Sequence, residues 1–281
     1  MKIAMLQIQV QEDVKDNLNQ VQSLAIQSHK EGADILVLPE MWNCPYINEQ
    51  IKKSVSFYDL CKELLQTLSD KLKCMIVGGT IAHKIEDKIY NECLIFDHGK
   101  LIASYAKTHL FEVHTKKDYQ EKDVFTPGDH LQTFDTRWGK MGVLICYDIR
   151  FPEVARLLAI KGTRIIFCPA AFNKSVTLQH WTPLFQIRAM ENQVFMVGVN
   201  PAHYQYDTFE SYGHSIITDP FGKICYQMDE NEPYSITDID LERIDSIRQR
   251  MPFWKIRRND LYTLMEVNEN ERNSNQRTNR F

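Results

Sequence analysis

Glu40, Lys107 and Cys146 lie far apart in the chain, yet each follows directly on an apolar run of strand type. They are the residue types that acyl transfer through a thioester needs. A thiol becomes a strong nucleophile once a neighbouring base takes its proton, and a carboxylate can be that base. A lysine beside them balances the carboxylate and offers an ammonium to an oxyanion forming on a carbonyl oxygen. In mixed α/β sheets ligands bind in the crevice at the carboxyl ends of strands. Three strand-end residues could therefore meet there.

Each residue also has a duller reading. Glu40 alone could be a helix-capping or surface carboxylate, and Lys107 a gatekeeper at a sheet edge. Cys146 could be an inert core thiol, the commonest fate of an intracellular cysteine. A Cys-His enzyme is a further option, with His109, His180 or His214 as base, although no Asn or Asp stands out as its third member.

The setting of Cys146 favours chemistry. Val143-Leu144-Ile145, bounded upstream by Gly139 and Gly142, suits a buried strand. Pro152 fits the first helical position, and Gly162 fits just past that helix's end. The thiol then sits in a tight strand-to-helix turn. Backbone N–H groups and the positive end of the helix are expected to lower its pKa and to hold an oxyanion.

The elements that must carry these residues alternate. An N-terminal strand leads to a helix with Val14, Leu18, Val21, Leu24 and Ala25 on one face, closed by Gly32. Ile35-Leu36-Val37-Leu38 is a buried-type strand ending at Pro39-Glu40. A second helix is expected to bury Phe57, Leu60, Leu64, Leu65, Leu68 and Leu72, before the strand Met75-Ile76-Val77. From Ile81 to Lys107 the period falls to two, with turn signals at Glu86-Asp87-Lys88 and His98-Gly99-Lys100, so the sheet is mixed. Strands follow around residues 131–134, 141–145, 164–168 and 194–199, with a helix over 180–192. Residues 214–240 read as short strands with a turn at Asp219-Pro220-Phe221-Gly222, and a helix over 241–250 precedes an irregular tail. The β-α order before Ile81 recurs roughly after Leu131, which suggests a two-sheet sandwich with helices outside. Residues 1–265 read as one domain. Residues 266–281 read as a polar tail, too poor in apolar side chains from residue 268 to order itself.

Composition narrows the class. With 43% hydrophobic residues, the 281-residue chain can bury a sizeable core. A net charge of -4 gives no reason to expect nucleic acid or an anionic membrane as partner. The seven cysteines are odd in number and none stand at CxxC spacing, so neither a disulfide framework nor a zinc ribbon is expected. The first strand turns polar too early for a signal peptide, and no apolar stretch approaches the roughly 20 residues of a membrane span. The chain is read as cytoplasmic, with no metal or cofactor required.

Three blocks carry a family resemblance: Leu38-Pro39-Glu40, Tyr105-Ala106-Lys107-Thr108-His109-Leu110, and Leu144-Ile145-Cys146-Tyr147-Asp148-Ile149-Arg150-Phe151-Pro152-Glu153. In this order and context they resemble the signature blocks of the nitrilase, or carbon–nitrogen hydrolase, superfamily, and the likeness runs from Met1 to about Tyr262. It implies an αββα sandwich with mixed sheets, usually dimerised into a longer stack, so a homodimer or higher homo-oligomer is expected. The helix over 180–192 and the C-terminal segment are the expected contacts. By resemblance Glu40 is the general base, Cys146 the nucleophile and Lys107 the oxyanion cation, with the Tyr147 N–H as second donor. Glu121 matches an additional glutamate near the site. Its alternative is an exposed loop acid among Lys116, Lys117 and Lys122.

The omega-amidase branch is the most similar, through Lys107-Thr108-His109-Leu110-Phe111, Pro169-Ala170-Ala171-Phe172-Asn173, His180-Trp181, Tyr212-Gly213-His214-Ser215 and Asp219-Pro220-Phe221-Gly222. That likeness implies hydrolysis of the terminal amide of small dicarboxylic monoamides such as 2-oxoglutaramate, with release of ammonia. Deaminated-glutathione amidases, N-carbamoyl hydrolases and a catalytically silent binding module are the alternatives. Tyr46 and Phe172 are candidates for lining the acyl pocket, and the loop over 202–211 for setting specificity.

Overall fold

The computed structural model describes residues 1–114, 119–174 and 179–267. Lys116, Lys117 and residues 268–281, most of the expected tail, lie outside the described residues. The first half of the chain runs β1 (Lys2–Leu6), α1 (Val14–Lys30), β2 (Ile35–Val37), α2 (Asn48–Ser54), α3 (Tyr58–Leu72) and β3 (Met75–Val77). The meander β4 (Ile81–Ile85), β5 (Lys88–Asp97) and β6 (Lys100–Ala106) follows, and then the short ribbon β7 (Glu112–Val113) and β8 (Tyr119–Gln120). The second half runs β9 (Thr133–Thr136), β10 (Gly139–Val143), α4 (Pro152–Ile160), β11 (Ile165–Pro169), α5 (Trp181–Asn192) and β12 (Phe195–Val199). It ends with β13 (Ile216–Thr218), β14 (Ile224–Gln227), β15 (Tyr234–Asp238) and α6 (Glu242–Arg250).

Two mixed sheets result. In one, β1, β2 and β3 are parallel neighbours, and β5 pairs antiparallel with β3, β4 and β6. The other has the order β14-β13-β12-β11-β10-β9, with parallel pairing only among β10, β11 and β12. Period-two alternation sorts each strand between two environments. Ala4 and Leu6 pack outward with Val21 of α1 and Leu65 of α3. Ile3 and Met5 point inward into a cluster that reaches Val143 and Phe167 of the second sheet, and Leu158 and Phe185 of α4 and α5. The layers are therefore helix, sheet, sheet, helix, as expected.

Three details differ from the sequence reading. α3 begins only at Tyr58, after a tight turn over Val55–Phe57, and buries Tyr58, Cys61, Leu65, Leu68 and Ser69. Phe57 and Leu60 fall off that stripe and are 37% and 45% exposed. β9 lies two residues beyond the run read around 131–134. Finally, β15 leaves the second half and pairs antiparallel with β1, from Lys2 against Asp238 to Leu6 against Tyr234. Local sequence patterns cannot announce such a long-range pairing.

One turn, over Gly78–Thr80, grips the chain at Glu40. Thr80 N donates to Pro39 O (3.1 Å), Met41 N to Thr80 Oγ1 (2.8 Å), and Trp42 Nε1 to Gly78 O (2.8 Å). Gly79 makes the approach possible: its φ is +58°, and a Cβ there would stand 2.1 Å from the Pro39 oxygen. Gly79→Ala is expected to cost about 2–4 kcal/mol, from left-handed strain plus overpacking. Urea unfolding measures it, and a loss under about 0.5 kcal/mol would contradict this account.

Candidate active site

Each of the three strand ends is fixed by backbone contacts. Glu40 follows β2, and its N–H donates to Ala170 O, just past β11, at 3.2 Å. Lys107 follows β6, and its N–H donates to Asn91 O at 2.9 Å. Cys146 opens a tight turn over Cys146–Arg150 after β10, with φ at +45°. A non-glycine residue in that region is strained, and such strain collects at functional sites. Helix α4 starts at Pro152, so this separate turn lies between the sulfur and the helix end.

The side chains converge on one ammonium. Lys107 Nζ donates to Glu40 Oε1 (2.9 Å) and to Glu121 Oε1 (2.8 Å). Tyr46 Oη donates its one proton to Glu121 Oε1 (2.5 Å) and lies 3.1 Å from Glu40 Oε1. Asn91 Nδ2 donates to Glu40 Oε1 (2.7 Å), Ala171 N to Glu40 Oε2 (2.8 Å), and Phe111 N to Glu121 Oε2 (2.8 Å). Lys107, Glu40 and Glu121 are 0%, 1% and 2% exposed, so neither a surface role for Glu40 nor the exposed loop reading of Glu121 survives. Lys107 likewise guards no sheet edge. Cys146 is buried beside them and feels the charges of Glu40, Lys107 and Glu121.

The electrostatics differ from expectation at the sulfur. Burial pushes the Cys146 thiol well above its ordinary value, the Glu40 charge pushes it further, and Lys107 only partly offsets them. The expected lowering is not present, because burial first and the Glu40 charge second outweigh the Lys107 ammonium. Burial also raises Glu121, against the pull of Lys107. For Lys107, burial alone would pull the ammonium down, yet Glu121 and Glu40 together hold it well above an ordinary lysine. Tyr46 is raised by burial and by both glutamates, so it remains a donor. At rest the site therefore holds a neutral thiol and a lysine that stays cationic.

The other candidates are placed less centrally. Tyr46 joins the carboxylates and also lines a small cavity with Glu40, Met41, Cys44, Tyr206 and Phe209, so the loop over 202–211 does reach the site. Phe172 and Tyr147 instead flank the Arg150 guanidinium, at 5.4 and 5.7 Å. His180 contacts Arg150, and His214 contacts Met228 O. His109 does have a carboxylate partner, Asp148, at 2.9 Å, which the sequence reading had not found. The charges acting on Cys146 are nevertheless those of the glutamates and Lys107. Asn91, the Ala171 N–H and Tyr119, whose buried hydroxyl finds no partner among the described residues, were also missed. Ala171 stands in the block Pro169–Asn173, but nothing in that block points to its N–H, and Asn91 shows only as a polar residue in an alternating strand. Among the described residues, no group of three His, Cys, Asp or Glu is arranged to hold a metal ion.

A helix-sheet-sheet-helix sandwich with a thiol, two carboxylates and an ammonium at its rim defines a class of carbon–nitrogen bond hydrolases. The carbon-nitrogen hydrolase family model matches residues 2–249, and the chain belongs to that family. It is 38% identical to omega-amidase NIT3 of Saccharomyces cerevisiae, over 93% of this chain and 94% of that protein. It is 35% identical to omega-amidase NIT2 of Danio rerio, over 95% of this chain and 98% of that protein. The crystal structure of Saccharomyces cerevisiae Nit3, described as a member of branch 10 of the nitrilase superfamily, superposes with a TM-score of 0.84. That match has 37% identity and covers 92% of this chain and 96% of that one.

The raised thiol sets a pH dependence. The folded state keeps the Cys146 proton above the ordinary value of 9.0, where the unfolded chain releases it. Its contribution to stability is thus present below about pH 9 and is lost as pH rises beyond that, by about 1.4 kcal/mol per pH unit. Urea unfolding between pH 8 and 10 should show wild type losing stability more steeply than Cys146→Ala. Parallel slopes would contradict the shift.

Proposed function

We propose that this hydrolase is an omega-amidase, cleaving the terminal amide of a small dicarboxylic monoamide such as 2-oxoglutaramate. The carrying observation is the Lys107 ammonium bonded to both Glu40 and Glu121 beside Cys146, in a chain similar throughout to two omega-amidases. Glu40 takes the Cys146 proton as sulfur attacks the amide carbon, and the oxyanion rests on Lys107 Nζ and the Tyr147 N–H. Glu40 then passes that proton to the leaving nitrogen, the C–N bond breaks, and ammonia departs. Water loses a proton to Glu40 and attacks the thioester. The C–S bond breaks, and Glu40 returns the proton to sulfur. Glu121 and Tyr46 hold Lys107 and Glu40 in place throughout. Residues 1–265 form the hydrolase domain in this reading, followed by the polar tail.

A homodimer completes the proposal. Ile187 and Met190 of α5 are 44% and 46% exposed, and Phe221 is 58% exposed on the turn that Gln186 binds through Gly222 O. Such a contiguous apolar face fits a second copy of the chain. A cytoplasmic setting is supported by seven free cysteines, six of them buried. No described helix is long and apolar enough to cross a membrane.

Two measurements test this. Cys146→Ala should abolish ammonia release from 2-oxoglutaramate while keeping the wild-type circular dichroism, and Glu40→Gln should lower kcat by about 10²–10⁴-fold. Turnover by Cys146→Ala near the wild-type rate would refute the assignment. In analytical ultracentrifugation, Ile187→Glu combined with Met190→Glu should halve the sedimenting mass. An unchanged mass would place the dimer contact elsewhere.

A further inference from the structure

Asp148 has no part in the reaction above, yet its buried carboxylate is densely bonded. Oδ2 accepts from Ile145 N (2.9 Å) and from Tyr105 Oη (2.8 Å). Oδ1 accepts from Thr108 Oγ1 (3.0 Å) and His109 N (2.9 Å), and lies 2.9 Å from His109 Nδ1. These partners fall in two groups. Tyr105, Thr108 and His109 bracket Lys107 on the first sheet. Ile145 and Asp148 itself bracket Cys146 on the second.

The two sheets pack through apolar side chains, and such burial is non-directional. It holds them together but does little to set how far one slides past the other. A thiol and an ammonium carried by opposite sheets need a directional tie, and bonds to a charged carboxylate are short and geometrically demanding. Glu40 has its own tie, through Ala170 O and the Ala171 N–H. For Lys107 and Cys146, Asp148 supplies it. The same carboxylate also braces the turn in which Cys146 holds its left-handed φ, through Ile145 N.

We propose that Asp148 is a positioning residue for amide cleavage, locking the Lys107 strand end to the Cys146 turn across the sheet-sheet interface. This rests on the reaction proposed above, since it assigns Asp148 the task of aligning that reaction's ammonium with its sulfur. It touches neither substrate nor the reacting atoms.

The test pairs turnover with the pH profile of Cys146 alkylation by iodoacetamide, read by mass spectrometry on the Cys146 peptide. Asp148→Asn should lower kcat by about 10²-fold, the scale of a 1 Å misplacement, with KM within about three-fold of wild type. Tyr105→Phe and Thr108→Val each remove one bond to Asp148, together with the 2.9 Å contact between the two hydroxyls, without removing charge, and keep the test alive if Asp148→Asn fails to fold. Each should lower kcat about five-fold, as one lost hydrogen bond implies. Each should also move the alkylation midpoint upward, because a loosened Lys107 stabilises the thiolate less. Wild-type kcat and midpoint in both neutral variants, with only a lower Tm, would make Asp148 merely structural and overturn the proposal. Should Cys146→Ala retain turnover, the reaction itself is wrong. The alkylation midpoints, which need no turnover, would still report on the lock.

Discussion

A single lysine ammonium, buried between two carboxylates, is the constraint on which the rest of this structure turns. Removing one partner of a buried ion pair typically costs about 3–5 kcal/mol, so Glu40, Lys107 and Glu121 must be delivered to the same place together. Their remaining hydrogen-bonding capacity is met by Tyr46, Asn91 and the backbone N–H groups of Ala171 and Phe111. Two glutamates against one ammonium also leave the cluster with excess negative charge. That excess, added to burial, keeps the Cys146 thiol protonated. In the proposed reaction the thiolate forms as it attacks, when the oxyanion draws on Lys107.

The sandwich places these groups by bringing strand ends from two sheets to one rim. Glu40 and Lys107 leave the first sheet, Cys146 leaves the second, and Glu121 arrives on a short turn behind the β7-β8 ribbon. Apolar packing between the sheets provides cohesion. Directional bonds at the rim, from Glu40 to Ala170 and Ala171 and from Asp148 to Tyr105, Thr108 and His109, provide registration. Local strain is tolerated at both functional turns, where Met41 and Cys146 hold φ at +50° and +45°. A stiff, well-bonded surround is what lets such conformations persist.

Where the sequence reading erred, tertiary context had overridden a local pattern. Phe57 and Leu60 fit an apolar helical stripe, but the turn over Val55–Phe57 shifts the start of α3 and leaves them in solvent. The elbow at Cys146 is present, yet the sign of the thiol's shift is opposite to the expectation, because helix-end arguments omit burial and the carboxylates delivered from elsewhere. Glu121 is expected near the site by family likeness, whereas its lysine-rich loop on composition alone allows the exposed alternative. Only its contacts with Lys107 and Phe111 N show it buried.

The sequence by itself determined the alternation of elements, the mixed sheets, the elbow at Cys146 and the three blocks that carry the family likeness. These follow from short-range causes: the periods of helix and strand, Gly and Pro at turns, and residue types at strand ends. Only the tertiary structure decided that β15 closes on β1, that Tyr46 and Asn91 join the carboxylates, and that Asp148 joins the two sheets. Those contacts join residues from 6 to 236 positions apart. They exist because a buried polar group left without a partner is costly, and which partner arrives depends on how the whole chain packs.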